Sequence, residues 1–190
     1  MWAAVAYAVE QHAGQKRAPD GAPFVLHPIE VATLLADVGA PDHVVVAGVL
    51  HDTIEKTSTE PQDLYERFGL RVTALVVALT EDPAISGYNA RKAGLRDQVQ
   101  AAGDEALMVF AADKVSKARE LSLTFARPTR TGETPRLGRP RSKAYRKLTH
   151  YRHCAELLDE RLAGSPLVES LRRELAHLAL VERAELVGAS

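Results

Sequence analysis

Apolar residues recur at spacings of three and four along most of the chain, a period that predicts a succession of helices. Trp2, Val5, Ala6 and Val9 form one stripe over residues 2–13, with Gly14 as its stop. The turn-rich stretch from Gln15 to Pro23 then delivers His27-Pro28 to a helix running to about Val38, Pro28 suiting a first helical turn. The apolar run Val44 to Leu50 is compatible with a buried strand or a buried helix. Pro41-Asp42 is a helix-start signal and no nearby segment offers strand pairing, so a central helix is expected. A short helix opens at Ser58-Thr59-Glu60-Pro61 and ends at Gly69, and another runs from Val72 to Leu79. Tyr88 to Ala101, Glu105 to Leu123, Lys143 to Ala163 and Pro166 to Val187 continue the series. Residues 126–141 hold three prolines, two glycines and five arginines, and read as a long, basic, mobile loop. The expected fold is all-α, with about eight to ten helices.

Composition narrows the class. At 190 residues, with 46% hydrophobic and 26% charged, the chain is long enough for one sizeable core, and a single domain over 1–190 is expected. A net charge of −1 gives no global attraction for polymeric nucleic acid, so any phosphate binding must be local. Cys154 is the only cysteine, which excludes an internal disulfide and a thiolate metal cage. The first residues lack the basic leader of a secretory signal and no apolar run reaches membrane-span length, so a cytoplasmic protein is expected. The sequence sets no oligomeric state.

The candidate chemistry lies at His51-Asp52, where the apolar run ends, with His27 upstream and Asp113 downstream. The pair alone is better explained by a hydrogen-bonded core histidine at a helix end and an aspartate that caps the next segment. Taken together, the four offer two imidazoles and two carboxylates, a set that suits Mn²⁺ or Fe better than a thiolate-held zinc and points to hydrolysis of phosphate esters or anhydrides.

The segments Gln11–Arg17, Pro23–Ala32, Gly48–Glu55 and Ala112–Lys114 closely resemble, in order and spacing, the hydrolase domain of RelA/SpoT-type proteins and the small alarmone hydrolases. The likeness runs from the N-terminus to about Leu121, with a weaker match around Tyr151. It implies an HD-domain helical bundle in which His27, His51, Asp52 and Asp113 bind one Mn²⁺, or another divalent ion such as Fe, Co or Mg. It also implies removal of pyrophosphate from the 3′ position of (p)ppGpp, the guanosine alarmone of the stringent response. Lys16, Arg17 and the pair Arg91-Lys92 fall where that family holds phosphate or base, and Tyr151 where an aromatic faces the nucleotide.

Glu55 follows His51 by four residues and, on a continuous helix, projects from the same face, which makes it the candidate proton handler. Two residues depart from the family pattern. Lys56 stands where the family carries the acid of a Glu-Asp pair, and Lys117 where it commonly carries Asn. Three readings of Lys56 follow: a phosphate-binding cation, a change that leaves a nucleotide-binding regulator without turnover, or a solvated side chain. Another nucleotide, such as an adenosine alarmone, is an alternative substrate. His12, His43, His150, His153 and His177 are expected to be structural or solvated, with His150 and His153 adjacent on one helix face.

Overall fold

The computed structural model describes residues 1–126 and 142–187, so most of the expected basic loop lies outside the described residues. Within them the chain forms nine helices: α1 (Trp2–Gln11), α2 (Leu26–Asp37), α3 (Asp42–Leu50), α4 (Thr53–Lys56), α5 (Pro61–Leu79), α6 (Tyr88–Ala102), α7 (Asp104–Ala126), α8 (Lys143–Arg161) and α9 (Pro166–Val187). No strand occurs among the described residues. A lone antiparallel bridge, Lys16 to Pro23, closes the loop after α1.

α7 is the axis of the bundle. From Ala106 to Ala118 nearly every position is buried, and a helix apolar around its circumference must be covered on all sides. α2, α3, α5, α6, α8 and α9 provide that cover. α3 is the other interior helix, with Val44, Val45, Ala47, Gly48, Val49 and Leu50 buried. Its run of valines is helical here because the backbone groups of an unpaired buried strand would have no partners.

Two expectations need adjusting, and the break expected at Gly69 holds. On α1 the buried stripe is Ala4, Tyr7 and Ala8, while Trp2 is 86% exposed and Val9 is also exposed. The two alanines permit close approach, and Tyr7 stacks edge-on against Phe68 and hydrogen-bonds Thr59 Oγ1 at 3.2 Å. This specific packing outweighs the larger side chains of the other stripe. The two helices expected on either side of Gly69 are present within α5, separated at that glycine, whose φ of 80° and ψ of 172° are not helical. Finally, the helix bearing His51 does not continue to Glu55. α3 ends at Leu50, His51 and Asp52 make a turn, and the four-residue α4 starts afresh at Thr53.

Candidate metal centre

Three elements supply four side chains that meet in the interior. His27 enters on the first turn of α2, His51 and Asp52 on the turn after α3, and Asp113 from the middle of α7. Their exposures are 1%, 4%, 6% and 6%. His27 Nε2 lies 3.3 Å from His51 Nε2 and 3.1 Å from Asp113 Oδ1. Asp52 Oδ2 is 3.5 Å from each of the two Nε2 atoms, and His51 Nε2 is 3.5 Å from Asp113 Oδ1.

The outer partners fix which atoms carry protons. His51 Nδ1 donates to the Gly48 carbonyl at 2.8 Å, since a carbonyl can only accept. Ser116 donates its hydroxyl proton to Glu30 Oε2 at 2.7 Å, which leaves Ser116 Oγ to accept from His27 Nδ1 at 2.8 Å. Both imidazoles therefore direct an Nε2 lone pair inward, the arrangement usual for metal-bound histidine. Asp52 Oδ2 and Asp113 Oδ1 are buried and have no hydrogen-bond partner. Two imidazole lone pairs and two carboxylate oxygens without hydrogen-bond partners thus lie close together, an arrangement that favours a cation bound among them. Metal–ligand bonds of about 2.0–2.2 Å set neighbouring donors roughly 3.0–3.5 Å apart, the separations seen within the group His27, His51 and Asp113, whose donor atoms all lie within 4.8 Å of one another, and between Asp52 and each histidine. The residues fit a divalent ion.

Lysines surround this centre. Lys117 Nζ is 3.5 Å from Asp52 Oδ2 and 3.9 Å from Asp113 Oδ1. Lys56 Nζ is 3.6 Å from the other Asp52 oxygen, Oδ1. Lys114, buried against the Phe110 ring, pairs with Asp113 Oδ2. Burial pushes both carboxyls up, but Lys117 at Asp52, and Lys114 with Lys117 at Asp113, hold both well below the usual range. Burial, reinforced by Lys117, holds His27 down to about 4. For His51, burial is opposed and overcome by Asp52 and Asp113, and its value is raised.

The other expected site residues are placed as follows. Glu55 is exposed at the rim, its carboxylate 3.3 Å from Lys56 Nζ. Lys56 and Lys117 both lie over the face of Phe24, at 5.6 and 5.8 Å from its centroid. Lys16 is exposed. Arg17 pairs with Asp20 and lines a groove of about 440 Å³ together with Ser116, Arg119 and Glu174. Arg91 and Lys92 are both held by Glu81. Tyr151 is buried, and its phenol is raised by burial and by the charge of Asp113. His150 and His153 do not form a pair of ligands: His150 is buried against Arg96 and Cys154, and His153 is exposed.

Several supporting residues were not singled out from the sequence. Ser116, Glu30 and Lys114 stand three, three and one residues from the candidate ligands Asp113, His27 and Asp113. The helical i, i+3 relation carried the signal for the first two. Gln15 Nε2 donates to the Lys56 carbonyl at 2.8 Å, and His12 Nδ1 bonds Gln15 Oε1 at 2.9 Å, tying the loop after α1 to α4. Nothing in the local sequence announced that contact.

Comparison with known proteins places the chain in a family. The guanosine-3′,5′-bis(diphosphate) 3′-pyrophosphohydrolase of Aquifex aeolicus is 43% identical over 75 residues, 40% of this chain and 11% of that protein. The GTP pyrophosphokinase of Streptomyces coelicolor is 36% identical over 113 residues, 58% of this chain and 13% of that protein. The chain thus spans little more than a tenth of the length of these relatives. The guanosine-3′,5′-bis(diphosphate) 3′-pyrophosphohydrolase MESH1 of Danio rerio is 34% identical over 124 residues, 62% of this chain and 67% of its own. A solved structure described as a metazoan ortholog of SpoT that hydrolyzes ppGpp matches with a TM-score of 0.76 at 22% identity, over 93% of each chain. A protein of Listeria monocytogenes matches at 0.69 and 24% identity, over 82% of this chain and 97% of its own. At such identities the likeness is one of fold. A family model described as HD domain matches residues 4–134, a span that takes in all four converging side chains, and the chain belongs to the HD domain family.

Proposed function

We propose that this chain is a metal-dependent phosphohydrolase that removes pyrophosphate from the 3′ position of guanosine 3′,5′-bis(diphosphate), with Mn²⁺ as its ion and the cytoplasm as its location. The observation that carries the reading is the set of four inward-facing acceptors, His27 Nε2, His51 Nε2, Asp52 Oδ2 and Asp113 Oδ1, with both histidine tautomers fixed from behind. The relatives named above support the substrate. A lone, buried Cys154 needs no oxidising compartment, and no helix among the described residues is long and apolar enough to cross a membrane.

When bound, a divalent ion supplies charge neutralisation at the attacked phosphoryl group and lowers the pKa of water. The chain's own residues do the rest. Lys56 and Lys117, on the two oxygens of Asp52 and each partly exposed, bind non-bridging phosphate oxygens and stabilise charge on the leaving pyrophosphate. Glu55 at the rim takes the proton of the attacking water. Ser116 and Gly48 hold the two imidazoles in register.

The contact of Lys56 with Asp52 favours one second reading, in which the ammonium standing where related proteins carry an acid leaves a nucleotide-binding protein without turnover. Release of pyrophosphate from guanosine 3′,5′-bis(diphosphate), assayed with Mn²⁺, separates the two. Wild type is expected to turn over slowly, Lys56→Asp faster by about tenfold or more because a second acid for proton transfer outweighs the lost phosphate contact, and His51→Ala to lose both bound metal and activity. If wild type and Lys56→Asp are both inert while the nucleotide still binds, the second reading replaces the first. A panel of adenosine and guanosine substrates, with phosphate and pyrophosphate measured separately, fixes the base and the bond cleaved.

A further inference from the structure

Asp52 stands between two ammonium groups that do different things. Lys56 meets Oδ1, which points away from the imidazoles. Lys117 meets Oδ2, the oxygen that faces His27 and His51, and at 3.9 Å it also reaches the inward oxygen of Asp113. Neither of those two oxygens has a hydrogen-bond partner, so the ammonium sits within ion-pair distance of both without saturating either. Its position follows from the helix: Lys117 is one turn beyond Asp113 on α7, and its side chain is 22% exposed, with Phe24 beneath it and solvent beside it. The group can therefore swing outward.

We propose that Lys117 is an internal counter-cation competing with the metal ion for Asp52 and Asp113, so that ion and phosphate bind cooperatively. This rests on the metal reading of the site given above. Three ammonium groups, those of Lys56, Lys114 and Lys117, already face the two carboxylates. A divalent ion entering alone makes the cluster strongly positive and is repelled by the nearest ammonium, Lys117. A phosphate anion at the mouth attracts that ammonium away from the carboxylates and restores charge balance. By linkage, each ligand then raises the affinity of the other by the same factor. Lys56 shares the charge but not the oxygens, so its removal has the smaller effect.

Manganese titrated into the full, metal-stripped chain, with free Mn²⁺ followed by electron paramagnetic resonance, tests this. Wild type, Lys117→Gln, Lys117→Arg and Lys56→Gln are compared with and without inorganic phosphate. Lys117→Gln is expected to bind Mn²⁺ at least about tenfold more tightly than wild type in the absence of phosphate. Lys117→Arg should stay within about threefold of wild type, and Lys56→Gln should fall between Lys117→Gln and wild type. Phosphate should tighten Mn²⁺ binding several-fold in wild type and much less in Lys117→Gln. Equal affinity of wild type and Lys117→Gln overturns the competition, and an equal phosphate effect in both overturns the coupling, while either result leaves the metal site standing. Binding of Mn²⁺ by neither protein removes the metal reading and this inference with it.

Discussion

His150 shows how a buried titratable residue can affect stability without taking part in the site. Its Nδ1 accepts from Arg96 Nη1 at 3.1 Å, and Cys154 Sγ packs at 3.6 Å. Burial, then the positive charges of Lys114, Lys92 and Arg96, hold the imidazole down to about 2. The folded value lies below the ordinary 6.5, so as pH falls through the latter the unfolded chain gains a proton that the folded chain refuses. The folded state is unpenalised above that point and loses about 1.4 kcal/mol per pH unit below it. In urea melts, wild type should lose about 2 kcal/mol more than His150→Gln between roughly pH 7 and pH 5. Parallel pH profiles for the two proteins would show that the ring is protonated in the fold.

At the scale of elements, the contact between α2 and α3 sets the geometry of the candidate metal ligands His27 and His51. A Cβ on Gly48 would lie 2.6 Å from Leu35 Cδ1, 3.4 Å from Val31 Cγ1 and 3.5 Å from Ala32 Cα. Leu35 and Val31 are fully buried and have little room to move. Alanine regains about 1 kcal/mol of helix propensity over glycine, which offsets part of its clash. Valine adds methyls in the crowded direction and should cost roughly 2–4 kcal/mol in denaturant unfolding. Because the Gly48 carbonyl holds His51 Nδ1, Gly48→Val should also weaken Mn²⁺ binding, an effect that thermodynamic destabilisation elsewhere would not produce. If unfolding free energy is unchanged, the helices are not as closely apposed as described.

The same two helices show what was legible in the sequence. That Val44–Leu50 is a helix followed from the absence of any strand to pair with, and the candidate cluster of His27, His51 and Asp113 followed from residue type and order. The face of α1 did not follow. A stripe containing Trp2 and Val9 is apolar, yet Ala4 and Ala8 are buried because close approach and the Tyr7 contacts decide the packing. The turn at His51-Asp52 was also hidden, since Thr53–Lys56 reads as a continuation of the helix until the tertiary packing breaks it. Sequence marked Lys56 and Lys117 as unusual, but not that they meet opposite oxygens of one carboxylate, which depends on two distant segments bringing both side chains over Phe24.

Across the whole molecule, the ligands tie together parts of the chain that are distant in sequence, and the tie extends outward. Glu30, which anchors Ser116 behind His27, is gripped by Arg119 Nη1 at 2.9 Å, and Arg119 Nε bonds Glu174 on α9 at 3.0 Å. The C-terminal helix thus supports the N-terminal ligand through α7. An ion that binds only the folded arrangement stabilises it by mass action, by about 2.7 kcal/mol at a concentration one hundred times its dissociation constant. For a chain of this size each kcal/mol corresponds to roughly 2–4 °C, so saturating Mn²⁺ should raise the melting temperature by about 5–10 °C, reversibly on chelation. His51→Ala should show no such rise, and Glu174→Gln a smaller one than wild type, since it loosens the support without removing a ligand. Scanning calorimetry with Mn²⁺ and with chelator makes the comparison. An equal rise in His51→Ala would mean that the ion binds elsewhere, and the convergence of α2, α3 and α7 would then need another explanation.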